Sequence, residues 1–165
     1  KRHFEDSLQL LSLIPEGAHV LFDLGSGAGF PGLVLAISRP EIEVHLFESD
    51  QKKCSFLGTV SRETDTPVII HTQRIETVDK KEGVVPDVIT ARALASLEKL
   101  LELTEGWWER NPQLVLVFPK GARAEEELAA ARKIYQFDVE MVQSQTEKEA
   151  KILVLRCVKK TGNNP

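Results

Sequence analysis

The sequence predicts a doubly wound α/β domain, a mostly parallel sheet completed by a C-terminal antiparallel hairpin. Three observations carry this. Strand-like apolar segments alternate with helix-like segments through most of the chain, the pattern of parallel strands joined by right-handed helical crossovers. A glycine-rich run at 23–32 stands between the first strand and the helix that follows it, where an open α/β sheet binds its ligand. The last two strand-like segments have no helix-length pattern between them, so they are expected to pair as a hairpin.

The elements follow in order. Phe4, Leu8 and Leu11 share one face of residues 4–14, with Leu10 and Ile14 beside it, an amphipathic helix ended by Pro15-Glu16-Gly17. Residues 19–23 form a compact apolar strand running into the glycines, and 33–38 the helix after it, closed by Arg39-Pro40. Residues 43–48 are the second strand, and 51–62 a helix with Asp50 as its N-cap. Strands three and four are expected at 68–70 and 87–90, followed by a helix capped by Ser96 and carrying Leu97, Leu100 and Leu101. Residues 114–118 lack polar alternation, so the fifth strand is expected to be buried on both faces. A strong helix former spans 124–135, and 139–143 with 152–158 make the closing pair.

A chain of 165 residues is expected to be one domain, a leading helix (1–14) and an α/β core (18–160). Apolar residues at 42% and charged residues at 28% are ordinary globular usage. No apolar run approaches the ~18–20 residues that span a bilayer, and no membrane partner is expected. The ten glycines and eight prolines are scattered, which excludes collagen-like, coiled-coil and disordered classes. With 21 Lys plus Arg against 25 Asp plus Glu, the net charge of −4 argues against non-specific coating of nucleic acid, while leaving room for a local basic site. Cys54 and Cys157 form no CxxC and are expected as buried, reduced thiols of a cytoplasmic protein. His3, His19, His45 and His71 show no metal-ligand spacing, so no metal is expected. The charged start is followed by no apolar stretch of a signal peptide.

The glycine run reads Asp23-Leu24-Gly25-Ser26-Gly27-Ala28-Gly29-Phe30-Pro31-Gly32. Gly27-x-Gly29-x-x-Gly32 matches the dinucleotide fingerprint, a weak signal alone. Read as Asp-x-Gly-x-Gly-x-Gly, the run resembles the first motif of class I S-adenosylmethionine (SAM)-dependent methyltransferases. A carboxylate at position 23 would repel a pyrophosphate and attract the ammonium of SAM, and Pro31 sits where a pyrophosphate-binding helix would be under way. A merely tight structural turn is the third reading. Glu48, ending the second strand, is placed to accept hydrogen bonds from both hydroxyls of a ribose; otherwise it is a solvated strand-end acid. The closing hairpin favours the methyltransferase reading.

Taken with its surroundings, the loop identifies a narrower likeness. Arg2-His3-x-x-Asp6-Ser7-Leu8, the glycine run with its Phe30-Pro31-Gly32, Glu48-Ser49 with Lys52-Lys53 and Phe56-Leu57, Arg74-Ile75-Glu76, Thr90-Ala91-Arg92-Ala93-Leu94-Ala95 and Lys120-Gly121 run in this order. They resemble the bacterial small-subunit ribosomal RNA guanine-N7 methyltransferases, the RsmG or GidB family, over nearly the whole chain. The resemblance implies a Rossmann-like SAM-dependent methyltransferase acting on 16S ribosomal RNA or the small ribosomal subunit; a monomer is expected. Asp23, Gly25, Gly27, Gly29 and Phe30 would belong to the cofactor pocket, Glu48 would hold the ribose, and Ile75 and Glu76 would flank the adenine. Arg92 would reach the cofactor or the incoming guanine. Lys120, with Arg123, would face the cleft and contact RNA phosphate. Family members carry further helices ahead of these motifs, so the chain is expected to be truncated. Trp107-Trp108 are unexpected for the family, and serve either core packing or stacking on a base.

Acceptor chemistry narrows the choice further. The place after the fourth strand reads Ile89-Thr90-Ala91-Arg92-Ala93 rather than the Asn/Asp-Pro-Pro-aromatic segment of exocyclic-amine methyltransferases. Neither cysteine is placed to be the nucleophile that carbon-5 pyrimidine methylation needs. Guanine N7 offers a lone pair and loses no proton, so no general base is required and no catalytic residue is assigned. Arg92 is expected to bind a carboxylate, a phosphate or the guanine O6/N7 edge from the side, or else to pair with Glu76 or Asp87. Lys52-Lys53 read as a solvated helix face. A small-molecule acceptor, another RNA base, or a non-catalytic SAM-binding module remain open.

Overall fold

The computed structural model describes residues 2–162 except residue 93; Lys1, Ala93, residues 163–165 and the side chain of Arg2 lie outside the described residues, and with them part of the Arg2-His3 and Arg92-Ala93 motifs. Strands β1 (Val20–Leu24), β2 (Glu43–Phe47), β3 (Ile69–His71), β4 (Val88–Ala91), β5 (Val115–Lys120), β6 (Tyr135–Gln143) and β7 (Lys151–Lys160) form one sheet in the order β3-β2-β1-β4-β5-β7-β6. The first five run parallel. β7 pairs antiparallel with both β5 and β6. It therefore lies inside the sheet, and β6 forms the edge.

Period-two alternation assigns the two faces. Phe22, Leu24, Phe47, Ile89, Leu116 and Phe118 meet the buried sides of α4 (Leu97–Arg110) and α5 (Ala124–Ala131). Leu21, Val44, Leu46, Val88, Val115 and Val117 meet Leu10, α2 (Gly32–Ser38) and α3 (Gln51–Glu63) on the other face, where α1 (Arg2–Gln9) precedes α2. Both faces of β5 are covered, as its unbroken apolar run implies. The caps form as expected: Asp50 accepts from the N–H groups of Lys52 and Lys53, and Ser96 from that of Lys99. Trp107 and Trp108 are core residues. Trp107 is 1% exposed with its ring edge-on to Phe22, and the Trp108 indole N–H donates to the Leu101 carbonyl at 3.0 Å.

Three expectations are corrected. The helix expected over 4–14 is α1 followed by a tighter 3₁₀ turn, Leu10–Leu13, which drives Leu10 into the core. The helix expected to reach residue 135 stops at Ala131, because Tyr135 is drawn under Trp108 and opens β6. Cys157, expected buried, is exposed. It adopts φ +56° where the β6–β7 register slips near Asp138, a bulge that turns its side chain off the inner face. Cys54 is buried and donates its thiol to the Glu48 carbonyl at 3.1 Å. Two histidines separated in sequence also meet: His45 Nδ1 lies 2.8 Å from His71 Nε2, and Glu43 holds the other ring nitrogen of His45 at 2.9 Å. Burial and the neighbouring His45 hold the His71 pKa below the ordinary histidine value. No helix among the described residues is long and apolar enough to cross a membrane.

Candidate active site

The site is built at the carboxyl ends of the parallel strands, at the point between β1 and β4 where the strand order reverses. After β1 the chain needs to turn sharply and present bare backbone. Gly25, Gly27 and Gly29 have φ of +70°, +53° and +100°, a region that residues with a Cβ enter at a cost. The turn is anchored to β2: the N–H groups of Gly25 and Ser26 both donate to the Phe47 carbonyl, at 2.8 and 3.1 Å. It is locked from the other side by α2, since a Cβ on Gly29 would lie 2.7 Å from Leu33 Cδ1.

Asp23 sits beneath the turn. Its side chain is 0% exposed, Thr90 Oγ1 donates to Oδ1 at 2.7 Å, and Oδ2 has no hydrogen-bond partner among the described residues. Burial pushes its pKa up to about 6, against the opposing pull of the Thr90 and Ser26 hydroxyls, the Gly32 backbone and, most weakly, the Arg92 charge. A Cβ on Gly32 would stand 2.5 Å from Oδ2, so the glycine lets the first turn of α2 descend onto the carboxylate. In this structure the Asp23 carboxylate is covered by the start of α2 and held by Thr90.

Glu48 follows β2 and lies nearly buried against the same loop. Its Oε1 accepts from Gly27 N at 2.8 Å and its Oε2 from Asp50 N at 3.0 Å. Ile75 is buried in the 3₁₀ turn Ile75–Thr77 beyond β3, and Glu76 beside it is exposed.

Arg92 leaves the end of β4 toward His3 on α1, with its Nη2 against His3 Nδ1. The half-buried Phe30 ring lies 5.7 Å from the imidazole. Arg92 therefore pairs with neither Glu76 nor Asp87; Asp87 instead accepts from the N–H groups of His19 and Val20 at 2.7 and 2.9 Å. Lys120 ends β5 and lines the cleft, but the expectation that it is free for phosphate is corrected. Its ammonium donates to the Ala95 carbonyl at 2.6 Å and pairs with Glu127 at 3.1 Å, leaving the side chain 7% exposed. Glu127 also accepts from Leu97 N at 2.7 Å, so Lys120 ties β5 to the start of α4. Arg123 is 80% exposed and holds Glu126 only at the surface.

A cavity of about 820 Å³ opens beside the loop, bounded by Pro31, Arg92, Leu94, Lys120, Asp6 and Thr146. Leu94 forms the partition, its Cδ1 3.1 Å from where a Gly25 Cβ would be. The structure thus brings Arg92, Lys120 and Arg123 to the cavity, and Gly27 with Glu48 to the crevice next to it. Asp6 and Thr146 are among the cavity residues that carried no expected role. Asp6 appeared only within a motif, and Thr146, 140 positions away, gave no sequence signal; its hydroxyl donates to Asp6 Oδ1. Among the described residues no cluster of His, Cys, Asp and Glu is arranged to hold a metal ion.

A doubly wound sheet with an inserted antiparallel β7, a left-handed glycine turn after β1 and an acid after β2 defines the class I methyltransferase architecture. Solved structures agree on the fold. The fibrillarin/Nop5p complex superposes with a TM-score of 0.69 at 16% identity, covering 94% of this chain and 82% of that one. The O-methyltransferase TomG from Streptomyces achromogenes, in complex with SAM, gives 0.65 at 12% identity, covering 94% and 79%.

Sequence comparison reaches further. The family model for rRNA small subunit methyltransferase G (GidB) matches residues 1–155. Ribosomal RNA small subunit methyltransferase G of Parvibaculum lavamentivorans is 44% identical over 161 residues, covering 94% of this chain and 69% of the relative. That of Rhodospirillum centenum is 47% identical over 155 residues with the same coverages. The chain belongs to the rRNA small subunit methyltransferase G family.

Proposed function

We propose that this protein is a SAM-dependent methyltransferase that modifies N7 of a guanine in 16S ribosomal RNA, within the RNA or the small ribosomal subunit. The observation that carries the reading is the Gly27–Glu48 contact: a bare, left-handed backbone turn whose nitrogen is 2.8 Å from a strand-end carboxylate, with a cavity large enough for a nucleotide on the far side of Leu94. The residues suit the cofactor. Gly25, Gly27 and Gly29 leave room for its amino acid portion, and Asp23 supports that turn from below rather than touching the ligand. Glu48 offers carboxylate oxygens to the ribose hydroxyls, and Ile75 gives the adenine an apolar wall with Glu76 beside it. Phe30 flanks the passage to the cavity.

Bound there, SAM supplies an electrophilic methyl group on a sulfonium. The protein's part is positioning, because an acceptor with an available lone pair needs alignment rather than activation. Guanine N7 is such an acceptor, and no side chain has to remove a proton. Arg92, steadied by His3, reaches the cavity from the end of β4, where it can meet the O6/N7 edge from the side. Arg123, exposed at the rim, is the cation available for RNA phosphate, and Lys120 supports the wall of the cleft. Most of the affinity for RNA then has to come from a limited set of rim cations, given a net charge of −4.

Two measurements test the reading. Titration calorimetry on the folded chain is expected to show SAM and S-adenosylhomocysteine binding; its absence overturns the cofactor assignment. Nucleoside mass spectrometry of ribosomal RNA from a deletion strain is expected to show loss of N7-methylguanosine. An unchanged level redirects the activity to a small molecule or to another base.

A further inference from the structure

N7 chemistry alone does not select guanine, because adenine carries an equivalent N7. Something in the acceptor cavity has to read the rest of the base, and the two purines differ along the edge that follows N7. Guanine presents an O6 acceptor and then two donors, N1–H and the N2 amino group. Adenine presents an N6 donor and then an N1 acceptor.

Resting on the reading of this cavity as the acceptor-base site, we propose that Asp6 is the specificity-determining residue for guanine, its carboxylate accepting hydrogen bonds from N1–H and the N2 amino group. Among the described residues three carboxylates line the cavity: Asp6, Glu127 and Glu147. Glu127 is committed to Lys120 and to Leu97 N. Asp6 is partly buried, and one of its oxygens is fixed by the Thr146 hydroxyl. The other oxygen has no partner among the described residues. A carboxylate pinned on one side and available on the other suits a pair of adjacent donors, and it would face the N1 lone pair of adenine repulsively.

The site is built from two directions. Asp6 rides on α1, and α1 is clamped to the β6–β7 connection by Gln9, whose side chain donates to the Gln143 carbonyl at 2.9 Å and accepts from Gln145 N at 3.1 Å. Thr146 lies in that same connection. On the cofactor side of the cavity stands Arg92, a donor with no acceptor capacity, suited to O6. The cavity thus holds a donor at the end of β4 and an acceptor on α1 beside the β6–β7 connection. A donor for O6 and an acceptor for N1–H and N2 are what the guanine edge following N7 requires. His3 couples the two ends, since it shares α1 with Asp6 and holds Arg92.

The test uses small subunits reconstituted with guanosine or inosine at the methylated position, labelled SAM, and the intact chain. Inosine keeps N7, O6 and N1–H but lacks the N2 amino group. Wild type is expected to prefer guanosine by about 5- to 150-fold in kcat/KM, the range for a well-placed base-edge contact. Asp6→Asn is expected to lower the guanosine rate by a similar factor and bring the guanosine-to-inosine ratio close to 1, with SAM affinity unchanged. Thr146→Val is expected to shrink the ratio partway, by releasing the pinned oxygen. Equal wild-type rates on the two bases overturn the proposal without any variant. So does an Asp6→Asn enzyme that keeps the ratio. Absence of N7 methylation on either substrate by SAM-bound wild type instead refutes the functional reading itself.

Discussion

Thr90 and Asp23 stand opposite each other as register partners of β4 and β1, and the threonine hydroxyl donates to the buried carboxylate at 2.7 Å. This one bond joins the two strands between which the sheet reverses its order. It also holds a charge under the glycine turn where water cannot reach it.

Asp23 gives the protein a pH signature. Its pKa is about 6 in the folded state against 3.8 for the free group, so between these values the native state binds more protons than the unfolded one. Stability from this group is therefore full below about pH 4, falls as pH rises through 6 and is flat above, by about 3 kcal/mol in total. Denaturant unfolding at pH 4.5 and 7.5 is expected to show about 2 kcal/mol of this loss in wild type relative to Asp23→Asn, in which the component disappears. An identical pH dependence in the two proteins would show that Asp23 titrates normally.

The glycines separate into two kinds. Gly32→Ala puts a methyl 2.4 Å from Leu46 Cδ2 and 2.5 Å from Asp23 Oδ2. It is expected to cost about 1–3 kcal/mol of stability, as overpacking does. At Gly27 a Cβ meets nothing nearer than 3.8 Å, so Gly27→Val changes the φ +53° turn and its open face rather than the core. It is expected to remove measurable SAM binding while the melting temperature falls by only a few degrees. Calorimetry and thermal melting of both variants separate the two effects.

Glu48 holds the loop through Gly27 N and is the proposed ribose ligand. Glu48→Gln keeps an acceptor for Gly27 N but loses charge, and hydrogen bonds to charged groups contribute about 1.5–3 kcal/mol. SAM affinity is expected to fall about 10- to 100-fold, with Asp50 still capping α3. An affinity within twofold of wild type would place the ribose elsewhere.

Lys120 and Arg123 are expected to part company. Lys120→Met leaves Glu127 and the Ala95 carbonyl without their cation, and is expected to lower stability by about 2 kcal/mol. Arg123→Ala, at an exposed site, is expected to leave unfolding unchanged and to reduce the salt dependence of RNA binding by about one unit of slope. Unfolding curves and filter binding across salt concentrations distinguish wall from phosphate contact.

The parallel core was legible because local and global signals agree there: apolar runs, caps at Asp50 and Ser96, and glycines just after β1. Legibility failed where tertiary demand overrides propensity. The alanine-rich run before Tyr135 favours helix, yet Tyr135 belongs under Trp108 and the helix ends four residues earlier. Burial of Cys157 was expected from cysteine usage alone, which gives no warning of a bulge. In the site, the glycine turn and Glu48 were visible as strand-end chemistry. Their burial was not, so Asp23 and Lys120 looked freer than they are. The Asp6–Thr146 contact joins residues 140 positions apart, and no local pattern encodes such a meeting.

The placement of β7 between β5 and β6 bears on biogenesis. As the chain leaves the ribosome, Leu116 to Lys120 emerge with their outer hydrogen-bonding groups open, and the partner that closes them is made some thirty residues later. β6 cannot shield them, since it reaches the sheet only through β7. A stall or premature stop before Lys151 thus leaves a nascent product with a sticky apolar border, a substrate for chaperones and proteases instead of a smaller working enzyme.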